Sequence, residues 1–395
     1  MIKLLRRLGK VSQTSGFQRP EAVASSLTSG CTDAERRAQY VLFAGTSGGM
    51  SARVRKITKD ILALSQNCLG FTAISTRTRD RLLADAPNLS RYFFLVERPK
   101  HPIGKLPDGC HTVLRADHPD LQDLRRRYAN HPATEHIQWS RQDVETRLDL
   151  PYFRADNSYV FQSRAYSPLV FYATAAYVEK TDKADLFQVL EEDNYFGAET
   201  FDFHGKLVSR DLLDSIIELN FLAAYVPLFS ESRSINVLDI GAGYGRLAHR
   251  MTAACPNVGK YFCTDAVPES TFLSQYYLAF RNVLDRCAVV PLDKVTELRS
   301  IPIELAINVH SFTECRGRVV AWWLEELSAI KIPWLFIETD FGLTSRDGYG
   351  VRNDFREKIE ESGYRLIVQQ PKFAQSQILR DHGLYPSEFY LFRQT

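Results

Sequence analysis

The stretch that decides the fold reads Ile235-Asn-Val-Leu-Asp239-Ile-Gly241-Ala242-Gly243-Tyr-Gly245-Arg246-Leu-Ala-His249-Arg250. An apolar run ends in the acid Asp239, three glycines follow at alternate positions, and helical spacing resumes at Arg246. This is the pattern of a strand, a tight loop and a helix. Glycines let the loop backbone approach a ligand more closely than a Cβ would permit. A dinucleotide fingerprint, G-x-G-x-x-G, needs its last glycine at position 246, where this chain has Arg246, so that reading fails.

Strands and helices alternate from Ile235 to the end of the chain, the rhythm of a parallel sheet. Lys260-Tyr-Phe-Cys-Thr-Asp265 reads as the next strand, again ending in an acid, 26 residues after Asp239. A carboxylate there can accept both hydroxyls of a ribose. Cys287-Ala-Val-Val-Pro-Leu-Asp293 reads as a third strand with an acid at its end. The pattern D-x-G-x-G-x-G resembles motif I of class I S-adenosylmethionine-dependent methyltransferases. The resemblance implies S-adenosylmethionine as cofactor. Asp239 would lie near the methionine amino group, Asp265 on the ribose and Asp293 near the adenine amino group. Gly241, Ala242, Gly243, Gly245, Arg246, Ala266 and Asn308 would complete the site. It also implies an α/β, Rossmann-like, seven-stranded sheet over residues 229–395. The last two strands are expected at Arg365–Gln370 and Phe389–Gln394, the second antiparallel to the rest.

Pro302-Ile-Glu-Leu-Ala-Ile-Asn308-Val-His310-Ser311-Phe-Thr-Glu314 reads as the fourth strand and its exit turn. In a doubly wound sheet that strand neighbours the first at the switch point, where ligands bind. Methyl transfer to a hydroxyl needs alignment and a base to take the proton. His310 has the suitable intrinsic pKa, and Glu314 is the alternative. The alternative for Asn308 is hydrogen bonding to backbone groups at the strand end.

The 395-residue chain is long for one compact domain. Residues 1–37 are read as a flexible leader, 38–135 as a small α/β domain, 136–228 as a helical, aromatic-rich cap, and 229–395 as the sheet domain. Within 38–135, strands are expected at 40–45, 71–75, 92–96 and 111–115, with helices at 51–66 and 119–128. The glycine-rich turn Gly45–Ser51 is loosely similar to a turn in glycosyltransferase N-terminal lobes, but is read as a tight turn without ligand. Helices are expected at 167–178 and 183–190, and Ser209 is expected to cap a helix running to Val226.

Charge is balanced, 49 basic against 47 acidic residues, so nothing global points to nucleic acid or membrane. The run Arg125-Arg126-Arg127 is read as a solvated helix face. Seven irregularly spaced cysteines with no CxxC fit reduced thiols and a cytoplasmic setting. No transmembrane run or signal peptide is read, and no divalent metal is expected, because no tight Asp-Asp pair follows strand four.

Several segments together resemble one family, the bacterial sugar O-methyltransferases. They are Pro151–Gln162, Glu192–Gly197, Val208–Ser215, the glycine motif through Arg250, Thr264–Ser270 and Asn308–Glu314. The likeness covers roughly Trp139 to Thr395 and departs from the family at Cys315, where a methionine is common. It implies a sugar or glycan acceptor, as polysaccharide, glycan terminus or nucleotide-linked sugar. Arg154, Asp156, Asn157, Tyr159, Gln162, Arg210, Asp211 and Asp214 would line its site. Two alternatives stand beside this: a natural-product methyltransferase acting on a non-sugar hydroxyl or amine, and a non-catalytic S-adenosylmethionine-binding module. Homo-oligomerisation is left open.

Overall fold

The computed structural model describes residues 41–44, 72–75, 104–135, 139–155, 168–229, 234–348 and 351–395. The expected leader, the turn at 45–51, the helix at 51–66 and the strand at 92–96 lie outside the described residues. The chain divides into two compact units, Met1–Pro102 with Ser163–Ala173, and Ile103–Gln162 with Thr174–Thr395. In the first unit Val41–Ala44 pairs in parallel with Thr72–Ser75.

The second unit is built on seven strands: β1 (Ile235–Ile240), β2 (Val258–Thr264), β3 (Cys287–Val289), β4 (Leu305–Val309), β5 (Trp334–Thr339), β6 (Tyr364–Pro371) and β7 (Glu388–Gln394). Their order across the sheet is β6-β7-β5-β4-β1-β2-β3. β7 runs antiparallel to both β6 and β5, as expected. β1 pairs in parallel with β2 on one side and β4 on the other, so the switch point lies where β1 and β4 end. Val237, Leu238, Leu305, Ala306, Ile307, Leu335, Phe336 and Ile337 are fully buried. Strands covered on both faces read as unbroken apolar runs, which is why these were legible.

Five helices matter for the site: α1 (Pro119–Tyr128), α2 (Arg210–Ala223), α3 (Arg246–Ala254), α4 (Pro268–Phe280) and α5 (Gly317–Ile330). Ser209 caps α2 as expected, its hydroxyl accepting the Leu212 N–H at 3.1 Å. The other expected helices of this region appear over Pro168–Thr181 and Leu186–Val189.

Three expectations change. Residues 111–115 are not a strand; Cys110–Val113 forms a short helix. Gly109 precedes it at φ 72°, and the Thr112 hydroxyl turns back to the Gly109 carbonyl at 2.7 Å, closing a turn that a five-residue pattern could not reveal. Residues 104–135 also do not belong with the N-terminal unit. Helix α1 buries Leu121, Leu124 and Tyr128, and the Tyr128 hydroxyl meets Thr271 on α4 at 3.0 Å and the Leu292 N–H at 2.7 Å. The arginine run is not a solvated face. Arg126 is exposed, but Arg125 donates to Glu269 at 2.7 Å and Arg127 to Asp293 at 2.7 Å. Helical periodicity showed which face of α1 is apolar, not which partner covers it.

Candidate active site

The glycine loop joins β1 to α3. Gly241, Gly243 and Gly245 all have positive φ, 78°, 58° and 87°. At Gly241 a Cβ would lie 2.3 Å from the Ser311 hydroxyl, whereas at Gly243 it would meet nothing within 4 Å. One glycine permits the close approach of the β4 exit turn; the next presents bare backbone to open space. The Gly241 and Ala242 N–H groups donate to the Thr264 carbonyl, and the Gly243 N–H donates to Asp265 at 2.9 Å. The loop is thus pinned to the end of β2 by its own backbone.

Asp239 and Asp265 are both buried. The Tyr261 hydroxyl donates to Asp239 at 2.8 Å, and burial pushes the Asp239 carboxyl up to about 7 despite that bond. Among the described residues no cation forms an ion pair with it. Asp265 accepts from Gly243 and, at 2.8 Å, from the Val267 N–H; burial pushes it up to about 6 against those bonds. Ala266 is buried beside it. Two desolvated carboxylates at the switch point suit a ligand that brings an ammonium and a diol, which is what S-adenosylmethionine carries.

Other expected cofactor residues have different work. Asn308 is fully buried; its amide donates to the Ile240 carbonyl at 2.9 Å and to Ser311 at 2.6 Å, and its oxygen accepts the Phe312 N–H at 3.0 Å. It ties β1 to the β4 turn. Arg246 forks onto Glu218 of α2 at 2.8 and 2.9 Å. Asp293 sits in the 3-10 turn Leu292–Ser300, not at a strand end, and the Arg127 fork occupies both of its oxygens at 2.7 and 3.0 Å. That fork comes from a helix the sequence placed in another domain.

The β4 exit turn brings the two expected bases to the same end of the sheet. His310 adopts φ 63°, the left-handed conformation that opens the turn Ser311–Glu314. Its Nε2 lies 3.6 Å from Glu338 of β5 and its Nδ1 3.8 Å from Asp340. Nδ1 is buried, with no hydrogen-bond partner among the described residues. The ring stands edge-on to Tyr385 at 4.8 Å. Behind it lies a buried chain of charge. Lys372, just past β6, sits 3.3 Å from Glu338 and 2.6 Å from Asp214, and Asp214 pairs with Arg210 at 2.9 Å. Burial alone would raise the Glu338 pKa; Lys372 and His310 outweigh it and hold Glu338 well below the carboxylate range. Glu314 accepts from the Trp139 indole at 2.6 Å, and burial pushes its carboxyl up to about 7, against the Trp139 bond and helped by the Asp265 and Asp340 charges.

The expected acceptor residues divide. Asp156, Asn157, Tyr159 and Gln162 lie outside the described residues. Arg154 is fully buried and holds Glu192 at 2.8 Å and Asp193 at 3.0 Å, so it is a structural hub and not an acceptor contact. Asp211 accepts from the Tyr244 hydroxyl and faces Arg154 at 3.7 Å. Asp214 and Arg210 belong to the buried charge chain behind His310, Arg210 also lying over the Tyr385 ring at 4.5 Å. Tyr261, Glu338, Lys372 and Trp139 were missed. Glu338 had a signal: it is an acid near the end of the apolar run Trp334–Ile337, the feature used to find Asp239 and Asp265.

A test of the Asp239 assignment follows from its titration. Below about pH 7 the carboxyl is neutral, and binding an ammonium must displace its proton. S-adenosylhomocysteine, which keeps that ammonium, should bind up to about tenfold more tightly at pH 8 than at pH 6, with proton release. For the protein alone the sign is opposite: a raised carboxyl stabilises the fold at low pH, and that contribution is lost as pH rises through its folded value. Asp239→Asn should bind about 10- to 100-fold more weakly at pH 8 and lose the pH dependence. A pH-independent affinity in the parent protein would remove Asp239 from the ammonium site.

No protein-family profile matches the chain, and no curated protein matches it. Solved structures similar to it include the magnesium protoporphyrin IX methyltransferase of Synechocystis PCC 6803 with bound S-adenosylmethionine, at TM-score 0.34 and 11% identity over 51% of this chain and 88% of that one. The mitomycin 7-O-methyltransferase aligns at TM-score 0.33 and 17% identity over 47% of this chain and 56% of that one. The cyclase SpnF aligns at TM-score 0.35 and 14% identity over 49% and 86%. The fold assignment rests on the strand order itself, and function on the site's own groups.

Proposed function

We propose that the chain is an S-adenosylmethionine-dependent O-methyltransferase acting on a sugar hydroxyl. The observation that carries the cofactor reading is Asp239, a buried carboxylate with no ion-pair partner among the described residues, set beside a bare glycine loop. The sugar acceptor rests on the likeness of the Pro151–Gln162, Glu192–Gly197 and Val208–Ser215 segments to the sugar O-methyltransferases.

The cofactor, when bound, supplies a methyl group on a sulfonium, so the leaving group needs no help. Asp239 would pair with its ammonium and Asp265 would accept from its ribose hydroxyls. Asn308 and Gly241 hold the β4 turn against the loop, which fixes where His310 stands. Glu338 engages His310 Nε2, leaving Nδ1 as the atom that would take the proton given up by the acceptor hydroxyl. The resulting imidazolium lies between Glu338 and Asp340. Glu314 is the second candidate base, its carboxyl pushed into the neutral range. A screen with radiolabelled S-adenosylmethionine should place label on a nucleotide sugar or surface oligosaccharide. Label only on phenols or amines would replace the sugar reading with the natural-product one.

A further inference from the structure

Beyond β5 the chain forms a short hairpin, Thr344–Gly348 against Val351–Asp354. Its register sets Arg346 directly opposite Arg352. Partners in an antiparallel pair point to the same face with Cβ atoms about 5 Å apart, and like charges placed so are destabilising. Arg352 is also held flat, its guanidinium carbon 3.8 Å above the ring of Phe341, which is 54% exposed. Stacking uses the face of a guanidinium and leaves its N–H edge available. The bonds that edge makes are long, 3.4 Å to the Thr313 carbonyl and 3.3 Å to the Thr344 hydroxyl.

The hairpin is fastened beside the candidate bases. The Arg346 N–H donates to the Cys315 carbonyl at 2.8 Å, and Thr313 and Cys315 flank Glu314. Asp340, which neighbours Phe341, lies 3.8 Å from His310. Among the described residues, the Glu314 carboxylate faces Arg346 and that of Asp340 faces Arg352. The hairpin's own acids are engaged elsewhere: Asp347 accepts from the Gly317 N–H, Ser345 and Asn353, and Asp354 accepts from the Arg356 N–H.

We propose that Arg346 and Arg352 form the part of the acceptor site that reads an anionic oxygen group, a phosphate or a carboxylate, borne by the acceptor. Resting on the methyltransferase reading, this narrows the acceptor to a charged one: a sugar on a diphosphate carrier or a glycan containing a uronic acid. Two guanidiniums on one face match the paired oxygens of either group, and the bound anion offsets their repulsion.

The full chain, saturated with S-adenosylhomocysteine, would be titrated with inorganic pyrophosphate, with glucuronate and with glucose, following the fluorescence of Trp139, which touches Glu314. Pyrophosphate or glucuronate should bind at least about tenfold more tightly than glucose, and the tighter of the two identifies the source of the charge. R346Q/R352Q should lose that preference while retaining S-adenosylhomocysteine affinity and an unchanged or higher Tm, since a repulsion is removed. R346K/R352K, which keeps the charge, should retain most of the preference. Equal binding of all three probes, or an anion preference that survives R346Q/R352Q, overturns the proposal while leaving the methyltransferase reading intact. Failure of the parent protein to bind S-adenosylhomocysteine overturns both. A fall in Tm for both double variants would make the pair structural and overturns the proposal alone.

Discussion

His310→Ala is expected to lower the turnover number for methyl transfer by about 10²–10⁴-fold, the range a positioned general base contributes. Cofactor affinity should barely change, because the ring touches Tyr385, Glu338 and Asp340 and neither Asp239 nor Asp265. Nδ1 is the atom on which the expectation rests: it is buried, without a hydrogen bond among the described residues, on a residue held at φ 63° in the turn that leaves β4. Glu338→Gln separates orientation from packing. It keeps the shape but removes the charge facing Nε2, so it should lower turnover less than His310→Ala and shift the acid limb of the pH–rate profile. If His310→Ala retains nearly full turnover, Glu314 becomes the base, and Glu314→Gln should then carry the large loss.

Arg154→Ala is expected to destabilise the fold by about 3–5 kcal/mol, the cost of breaking a buried ion pair and leaving a charge behind. Glu192 is fully buried at its side chain, held by Arg154 at 2.8 Å and Arg250 at 2.9 Å, with the Ser209 hydroxyl donating to its other oxygen. Burial alone would raise the Glu192 pKa; Arg250 and Arg154 outweigh it and depress it far below the usual range. A depressed carboxylate contributes stability above its unfolded pKa and loses it as pH falls. The loss in the variant should therefore be largest near neutrality and shrink in acid. Asp193 would keep Arg281 and the Tyr195 N–H, and the guanidinium packing over Tyr244 and Tyr277 would go as well. Urea denaturation measures this. A variant of parental stability with a weakened acceptor KM would return Arg154 to the acceptor site.

The same arginine shows where sequence reading ends. Arg154 was drawn towards the acceptor because the segment around it resembles a family motif, but such a motif marks structural hubs as readily as contacts. Its partners, Glu192 and Asp193, lie 38 and 39 residues away. The β1 loop was legible because glycine spacing is a local requirement, and Asp265 because an acid ending an apolar run is local too. Asp293 is local in the same way, but its Arg127 partner lies 166 residues away and could not be read locally. Nothing in the arginine run distinguished a solvated face from one clamped to Glu269 and Asp293. The strand order followed from alternation and from the resemblance; the Lys372–Glu338–His310 chain joins the ends of three strands and becomes visible only when they are side by side.

The central claim is that the loop after β1 holds S-adenosylmethionine, and calorimetric titration of the full chain with S-adenosylhomocysteine at pH 8 tests it most directly. The account expects one site of micromolar affinity, about −8 kcal/mol, weakened by Asp239→Asn and by Asp265→Ala. No binding at millimolar ligand, or binding indifferent to both substitutions, would contradict it.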